Sequence, residues 1–316
     1  MIQGTVIKST GSWYNVRRED DSSVVKCRIV GKFRLDDMNL TNPVAVGDKV
    51  LFELEAEDKG SIKKIMPRQN YVARQSPRKK HDIHLLAANI DQALLFVTII
   101  EPNLKQGFID RFLLTTEPHD IPTVIVFNKA DVYGETELAI FNDMKNIYEK
   151  IGYTVILISS TEGVGLEALK AILKDKTTMI SGQSGVGKSS AVNAIQPLMV
   201  LKTADISDYS GKGQHTTTFA EMFTLSFGGY LIDTPGIKTL AFNNLEPMDV
   251  AHNFREFFKL SDDCRFGRSC LHRNEPQCAV KEALEKDEIS FIRYQNYLNI
   301  LEDVEDLNYW ERHKDL

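Results

Sequence analysis

The sequence predicts an α/β protein with a small β-barrel ahead of its core and a helical segment behind it. Three patterns carry that prediction. Between residues 85 and 242, continuous apolar runs alternate with amphipathic stretches, as buried parallel strands and their covering helices do. Residues 1–68 hold short strand-like segments punctuated by turn residues. From residue 243 onward the pattern is helical and contains a close group of cysteines and a histidine.

In the first segment the expected strands are Gly4–Ser9, Trp13–Arg17, Val24–Val30 and Lys49–Glu55. The turns between them are marked by Ser9-Thr10-Gly11, Asp20-Asp21-Ser22 and Asn42-Pro43. Four or five short strands in this length suggest a small barrel. An OB-fold fits, and such barrels often bind nucleic acid; another small barrel with no ligand stays open. Residues 69–84 read as a basic linker. From Lys59 to His81 there are eight basic residues and no acidic one, and residues 1–80 carry net +6 against −12 for the rest. A stretch of that kind attracts polyanions, or is simply a solvated linker.

In the core the expected strands are Gln92–Ile100, Thr123–Phe127, Thr154–Ile158, Thr177–Ile180 and Gly229–Ile232. The expected helices are Phe108–Thr116, Glu135–Ile151, Leu166–Leu173 and Lys188–Ile195. Parallel sheets of this type bind ligands at the carboxyl ends of their strands, where Asn128, Ser159 and Gly182 fall. The 316 residues suffice for two or three domains. The first residues lack a basic-then-apolar leader pattern, and apolar runs such as Ala93–Val97 are too short to span a bilayer. Four cysteines in a chain of this length make no disulfide framework. A cytoplasmic protein without a membrane segment is expected.

The chemistry is concentrated in two motifs whose order is inverted. Asn128-Lys129-Ala130-Asp131 is an NKxD that follows a buried strand. Gly182-Gln183-Ser184-Gly185-Val186-Gly187-Lys188-Ser189 is a GxxxxGKS phosphate loop between a strand and a helix. Nucleotide-hydrolysing domains ordinarily carry the phosphate loop first. Here it comes second, so the sequence reads as a circularly permuted P-loop GTPase core.

Small residues in the phosphate loop, through Ser190, let successive backbone N–H groups face a β-phosphate. Lys188 should bridge the β- and γ-phosphates, and Ser189 should ligate Mg2+. Asp131 should accept hydrogen bonds from guanine N1–H and its exocyclic amine. Adenine offers an acceptor at N1 and is refused. Asn128 should brace the base-binding loops, and the stem of Lys129 should cover the base. Ser159 and Ser160 stand where a small residue supports guanine O6.

Asp233-Thr234-Pro235-Gly236 matches DxxG. Asp233 should hold Mg2+ through water, and the Gly236 N–H should sense the γ-phosphate. Upstream, Gly211 and Gly213 flank Lys212 in a segment read as mobile, followed by His215, Thr216 and Thr217. Either threonine can complete the Mg2+ shell, and Thr217 is favoured. Ile237 stands where many GTPases place a water-orienting glutamine. An apolar side chain cannot do that work, so His215 becomes the candidate catalytic residue, or else a packing or partner contact. Cys264, Cys270, His272 and Cys278 form C-x5-C-x-H-x5-C. Three thiolates and an imidazole make a closed structural zinc set. Arg265, Arg268 and Arg273 surround it as candidate phosphate contacts. Cys27 lies apart and reads as a buried thiol.

The series NKAD, SS, GQSGVGKSS, GKGQHTTT, DTPG and then a Cys/His cluster resembles the RsgA family (YjeQ/YloQ), along essentially the whole chain. The segments Arg68–Tyr71 and Ala87–Gln92 are similar to the family's connection from barrel to core. The resemblance implies an OB-fold at 1–68, a permuted GTPase domain at 85–242 and a zinc-binding helical domain at 243–316. It implies a GTP hydrolase acting late in small-ribosomal-subunit assembly, with that subunit and its rRNA as partners and activator, and the chain as a monomer. It also implies a hydrophobic residue after DxxG and a catalytic switch histidine resembling His215. One departure stands out: the family spacing is C-x4-C, and this chain has an extra residue that Gly267 can absorb. A GTPase acting away from the ribosome, on a modified RNA, and a binding module with a degenerate site are the rival readings.

Overall fold

The computed structural model describes residues 1–29, 42–75, 83–105, 107–196, 220–234 and 245–312. Strands β1 (Ile2–Ser9), β2 (Tyr14–Arg18), β3 (Val24–Ile29), β4 (Lys49–Ala56) and β5 (Lys59–Ile65) close a barrel. Within it β1 pairs with both β2 and β4, β2 with β3, and β5 with β3 and β4. Its interior is filled by Val6, Tyr14, Val16, Cys27, Phe52 and Ile62. Burial pushes the Cys27 thiol up to about 12, as an inert structural thiol requires.

Strand β5 is one element that sequence reading passed over. Lys59, Lys63 and Lys64 are exposed, while Gly60, Ser61 and Ile62 are buried. Three of the eight basic residues of that stretch therefore lie on the outer face of a barrel strand. The next part is also structured. Arg68 makes paired hydrogen bonds to the buried Asp48 carboxylate at 2.7 and 2.8 Å and a third to the Pro43 carbonyl. The segment expected as a linker contains β6 (Tyr71–Gln75), paired antiparallel with β7 (Ile83–Ala88). Asn70 ties the base of this hairpin, exchanging side-chain hydrogen bonds with the backbone of Ile90.

The core sheet contains β8 (Gln92–Val97), β9 (Thr123–Phe127), β10 (Thr154–Leu157), β11 (Thr177–Gly182), β12 (Glu221–Thr224) and β13 (Tyr230–Asp233). The order is β10-β9-β8-β11-β13-β12, parallel from β10 to β13, with β12 antiparallel at the edge. All of β8 and β9 is buried because helices cover both faces. Alternate residues serve opposite faces: Leu95 and Val97 join one apolar cluster, Leu94 and Phe96 the other. The covering helices are α1 (Phe108–Leu113), α2 (Glu135–Lys150), α3 (Leu166–Leu173) and α4 (Lys188–Ile195). Strand β12 also pairs with β1, so core and barrel form one sheet of 11 strands.

The C-terminal unit comprises α5 (Pro247–His252), α6 (Arg255–Ser261), α7 (Ala279–Glu285) and α8 (Phe291–Arg312). Val250, Phe254, Phe257, Tyr297 and Ile300 share a single apolar cluster with Phe112, Phe127 and Phe141 of the core. Among the described residues no helix is long and apolar enough to cross a membrane.

Candidate nucleotide site and metal centre

The two motifs that the chain separates meet at the carboxyl ends of two strands of one parallel sheet. Asn128 directly follows β9, and Gly182 ends β11, with β8 between them. Asn128 is buried, and its Nδ2 donates to the Val186 carbonyl of the phosphate loop at 2.9 Å. Gly187 sits at φ 83° directly beneath that amide. A side chain there would come within 2.4 Å of Asn128 Nδ2, so this position accepts only glycine. The base-reading loop and the phosphate loop are thus bonded to each other.

The base-reading loop is braced from several sides. Ser159 Oγ donates to Asp131 Oδ1 at 2.6 Å, and Ser160 Oγ donates to Asn128 Oδ1 at 3.0 Å. The Ser159 hydrogen bond is the main reason the Asp131 carboxyl is held below the usual carboxylate range. An ionised Asp131 suits the two donors of a guanine edge. Sequence reading placed the two serines at guanine O6; here their hydroxyls also orient the NKxD side chains. The same reading missed Tyr133. Its hydroxyl donates to the Asn128 carbonyl at 2.8 Å and accepts from the Ile99 N–H at 2.8 Å. A buried tyrosine five residues past a strand carries no sequence signal for that. Lys129, at φ 68°, donates from Nζ to the Glu101 carbonyl.

On the phosphate side, Lys188 Nζ donates to the carbonyls of Gly182 at 3.1 Å and Gln183 at 2.9 Å. Burial pulls its ammonium below the ordinary lysine range, and Asp233 opposes that fall. Ser184, Gly185 and Ser190 are exposed, and Ser189 is half-buried at the first turn of α4. Asp233 ends β13 beside Ile180 of β11, and Thr234 Oγ1 donates to the Ile180 carbonyl at 2.8 Å. The hydroxyl of Ser189 and the carboxylate of Asp233 are hard oxygen donors of the type Mg2+ takes. His215, Thr216, Thr217, Gly236 and Ile237 lie outside the described residues.

In the C-terminal unit, Cys264, Cys270, His272 and Cys278 are all buried, with their donor atoms within 4.8 Å of one another. Cys264 Sγ lies 4.0 Å from Cys278 Sγ, and His272 Nδ1 lies 3.7 Å and 3.4 Å from those two sulfurs. A tetrahedral zinc with Zn–S bonds of ~2.3 Å has S–S edges of ~3.8 Å, so these residues fit the ion. The Nε2 of His272 faces Ser261 Oγ at 3.4 Å, which leaves Nδ1 for a metal. Burial holds His272 down to about 4, so the imidazole is neutral and able to ligate. Gly267 takes φ 54° in a 3-10 turn between the first two cysteines, absorbing the extra residue without displacing Cys264. The arginines around the cluster have neighbours within the protein. Arg273 is engaged in a two-point ion pair with Glu305, and Arg268 pairs with Asp262. Arg265 lies over the exposed ring of Phe266.

A family model described as the RsgA GTPase matches residues 65–243, and one described as the RsgA N-terminal domain matches residues 3–62. The chain belongs to the RsgA GTPase family. A small ribosomal subunit biogenesis GTPase RsgA from Flavobacterium psychrophilum is 51% identical over 95% of this chain and 93% of its own length. A small ribosomal subunit biogenesis GTPase RsgA 2 from Bacteroides thetaiotaomicron is 48% identical over 98% of this chain and 99% of its own. The solved YjeQ from Thermotoga maritima superposes with a TM-score of 0.76 at 34% identity, covering 96% of this chain and 98% of that one. YloQ, described as a circularly permuted GTPase, gives 0.72 at 31% identity, covering 97% and 96%. The inverted motif order and the strand connections of this RsgA chain are therefore those of a permuted GTPase carrying an OB-like barrel of five strands.

Proposed function

We propose that this RsgA chain hydrolyses GTP to GDP and phosphate on the small ribosomal subunit, during that subunit's late assembly, with the subunit as activator. The observation that carries the nucleotide half is the hydrogen bond from Asn128 to Val186, which joins the base-reading and phosphate-binding loops. The ribosomal half rests on the names of its relatives. In this reading Asp131 reads guanine, Lys129 covers it, and Ser159 and Ser160 set the reader's geometry. The backbone from Gly182 to Gly187 and the Lys188 ammonium hold the phosphates.

Ser189, Asp233 and Thr217 would hold Mg2+, which neutralises charge on the β- and γ-oxygens when bound. Gly236 would sense the γ-phosphate, and His215 would place the attacking water in lieu of a residue at Ile237. Zinc at Cys264, Cys270, His272 and Cys278 would be structural, since all four donors are protein groups and no coordination position is left open. The barrel and the lysines on the outer face of β5 would meet rRNA, the chain acting as a cytoplasmic monomer. GTP favours tight binding to the subunit and GDP favours release. The test is hydrolysis of GTP and ATP, with and without small subunits, for the wild type and His215→Ala. The reading expects GTP turnover that subunits stimulate and that the substitution abolishes. Equal turnover of ATP, or no response to subunits, would overturn it.

A further inference from the structure

We propose that the segment Glu101–Lys105, which leads into α1, couples the nucleotide site to the C-terminal unit. Pro102 and Asn296 are then positioning residues for guanine-nucleotide binding. The proposal rests on the nucleotide-site reading above and adds to it a route from that site to the zinc-binding unit.

The route is a series of direct contacts. At its first end, the Glu101 carbonyl accepts from Lys129 Nζ, the residue that covers the base. Pro102 packs beside the phosphate loop, where a side chain on Gly185 would stand 3.6 Å from Pro102 Cδ. The segment is held in shape by Thr98 Oγ1 donating to the Pro102 carbonyl at 2.7 Å and by the Leu104 N–H donating to Ile99 at 3.0 Å.

At its other end, Gly107 abuts Asn296 of α8, whose Oδ1 would lie 3.5 Å from a side chain there. One turn later, Asp110 accepts hydrogen bonds from Arg293 Nη1, Asn296 Nδ2 and Tyr148, all buried. Helix α8 then reaches the metal cluster. The hydroxyls of Tyr294 and Tyr297 donate to the carbonyls of His272 and Leu271, each at 2.7 Å.

A nucleotide that fixes Lys129 and the Gly185 backbone therefore restrains the first end of a short segment whose other end leads into the contacts with α8. Restraint at one site must favour restraint at the other, and linkage makes the effect reciprocal. Asn296 Oδ1 has no hydrogen-bond partner among the described residues, although the side chain is only 3% exposed. That acceptor stands at Gly107, where the segment joins α1.

The test uses the full chain with its zinc. Amide hydrogen exchange is followed in α8, from Tyr294 to Leu298, with and without GDP and Mg2+. The GDP dissociation constant and the GTP kcat and KM are then measured for Asn296→Ala and Pro102→Ala, with zinc content as the check on folding. GDP should slow exchange in that part of α8. Both variants should raise the GDP dissociation constant and KM about fivefold or more, the lower end of ordinary coupling, with kcat unchanged. A merely structural role would lower stability without that KM-specific change. Unaltered α8 exchange on GDP binding, or variants that bind GDP as the wild type does, would overturn the proposal. If a variant loses its zinc, the wild-type exchange comparison decides alone. Failure of the wild type to bind GDP would instead remove the nucleotide-site reading, and this proposal with it.

Discussion

The barrel meets the core along an edge, and the C-terminal unit meets it through the interior. On the barrel side, β1 pairs with β12 at Lys8 and Glu221, whose side chains form an ion pair at 2.7 Å while 34% and 35% exposed. Arg17 adds a hydrogen bond to Thr224 and lies over the Tyr230 ring. The barrel keeps its own apolar cluster, while Val46 and Ile7 at its edge reach the core's. On the other side, Arg293 is enclosed between Asp110 and Glu256, with ion-pair distances of 2.6 and 2.8 Å, and stacks over Phe254. The apolar residues there belong to the core's own cluster. The C-terminal helices and the GTPase core should thus unfold as one body. The barrel is held by the edge ladder, by exposed charge and by a smaller buried contact, in which Ala45 and Val46 pack on the core and the Ala88 N–H donates to the Val46 carbonyl at 2.9 Å.

The largest expected effect is at Asp110. Its removal in Asp110→Ala leaves Arg293 buried with one partner lost, and should cost about 3–5 kcal/mol in urea unfolding. A cost near that of a surface pair would erase the contrast between the two seams. Next is Cys270→Ser, which should abolish stoichiometric zinc and lower the stability of core and C-terminal unit together by several kcal/mol, seen as one transition by calorimetry. Two separated transitions would show that the shared cluster does not couple them. Asn128→Ala leaves the Val186 carbonyl and the Ser160 hydroxyl without their partner. It should lose about 1–3 kcal/mol of stability, with weaker GDP binding by fluorescence titration. Lys8→Ala is smallest, below about 1 kcal/mol and shrinking further in salt.

How much of this the sequence disclosed depends on whether the signal is local. The motif residues from Asn128 to Asp131 and from Gly182 to Ser189 follow buried apolar runs, so their place at strand ends was legible. The four metal ligands were legible because they lie within 15 residues of one another. Strand β5 was not, because its lysines dominate the composition and its buried face is the short Gly60-Ser61-Ile62. Strand β12 was missed for a related reason: it is short, with Glu221 and Thr224 at its ends, and it is defined by pairing with β13 and β1. Nothing near Arg293 distinguishes it from a surface arginine, since Asp110 lies 183 residues away. Tyr133, Glu101 and Pro102 join the nucleotide site through contacts that only the folded chain creates.

The acid side of the pH profile follows from Asp131. Its depressed pKa means the charged form needed for guanine persists from neutral pH to about 5, so the preference for GDP over IDP, which carries the same phosphates but lacks the amine, should stay level across that window. That preference should fall only as pH drops through the lowered pKa. A decline beginning near pH 6 would assign the titration to another group.

The most direct measurement is a titration of GDP and XDP against the wild type and Asp131→Asn. Xanthine presents a carbonyl where guanine presents its amine, so an amide at position 131 suits xanthine and a carboxylate suits guanine. Two lost charge-assisted hydrogen bonds predict that the substitution weakens GDP about a hundredfold while XDP binding rises. GDP binding that is unchanged in Asp131→Asn would mean that this carboxylate does not touch the base bound over Lys188, and would contradict the account.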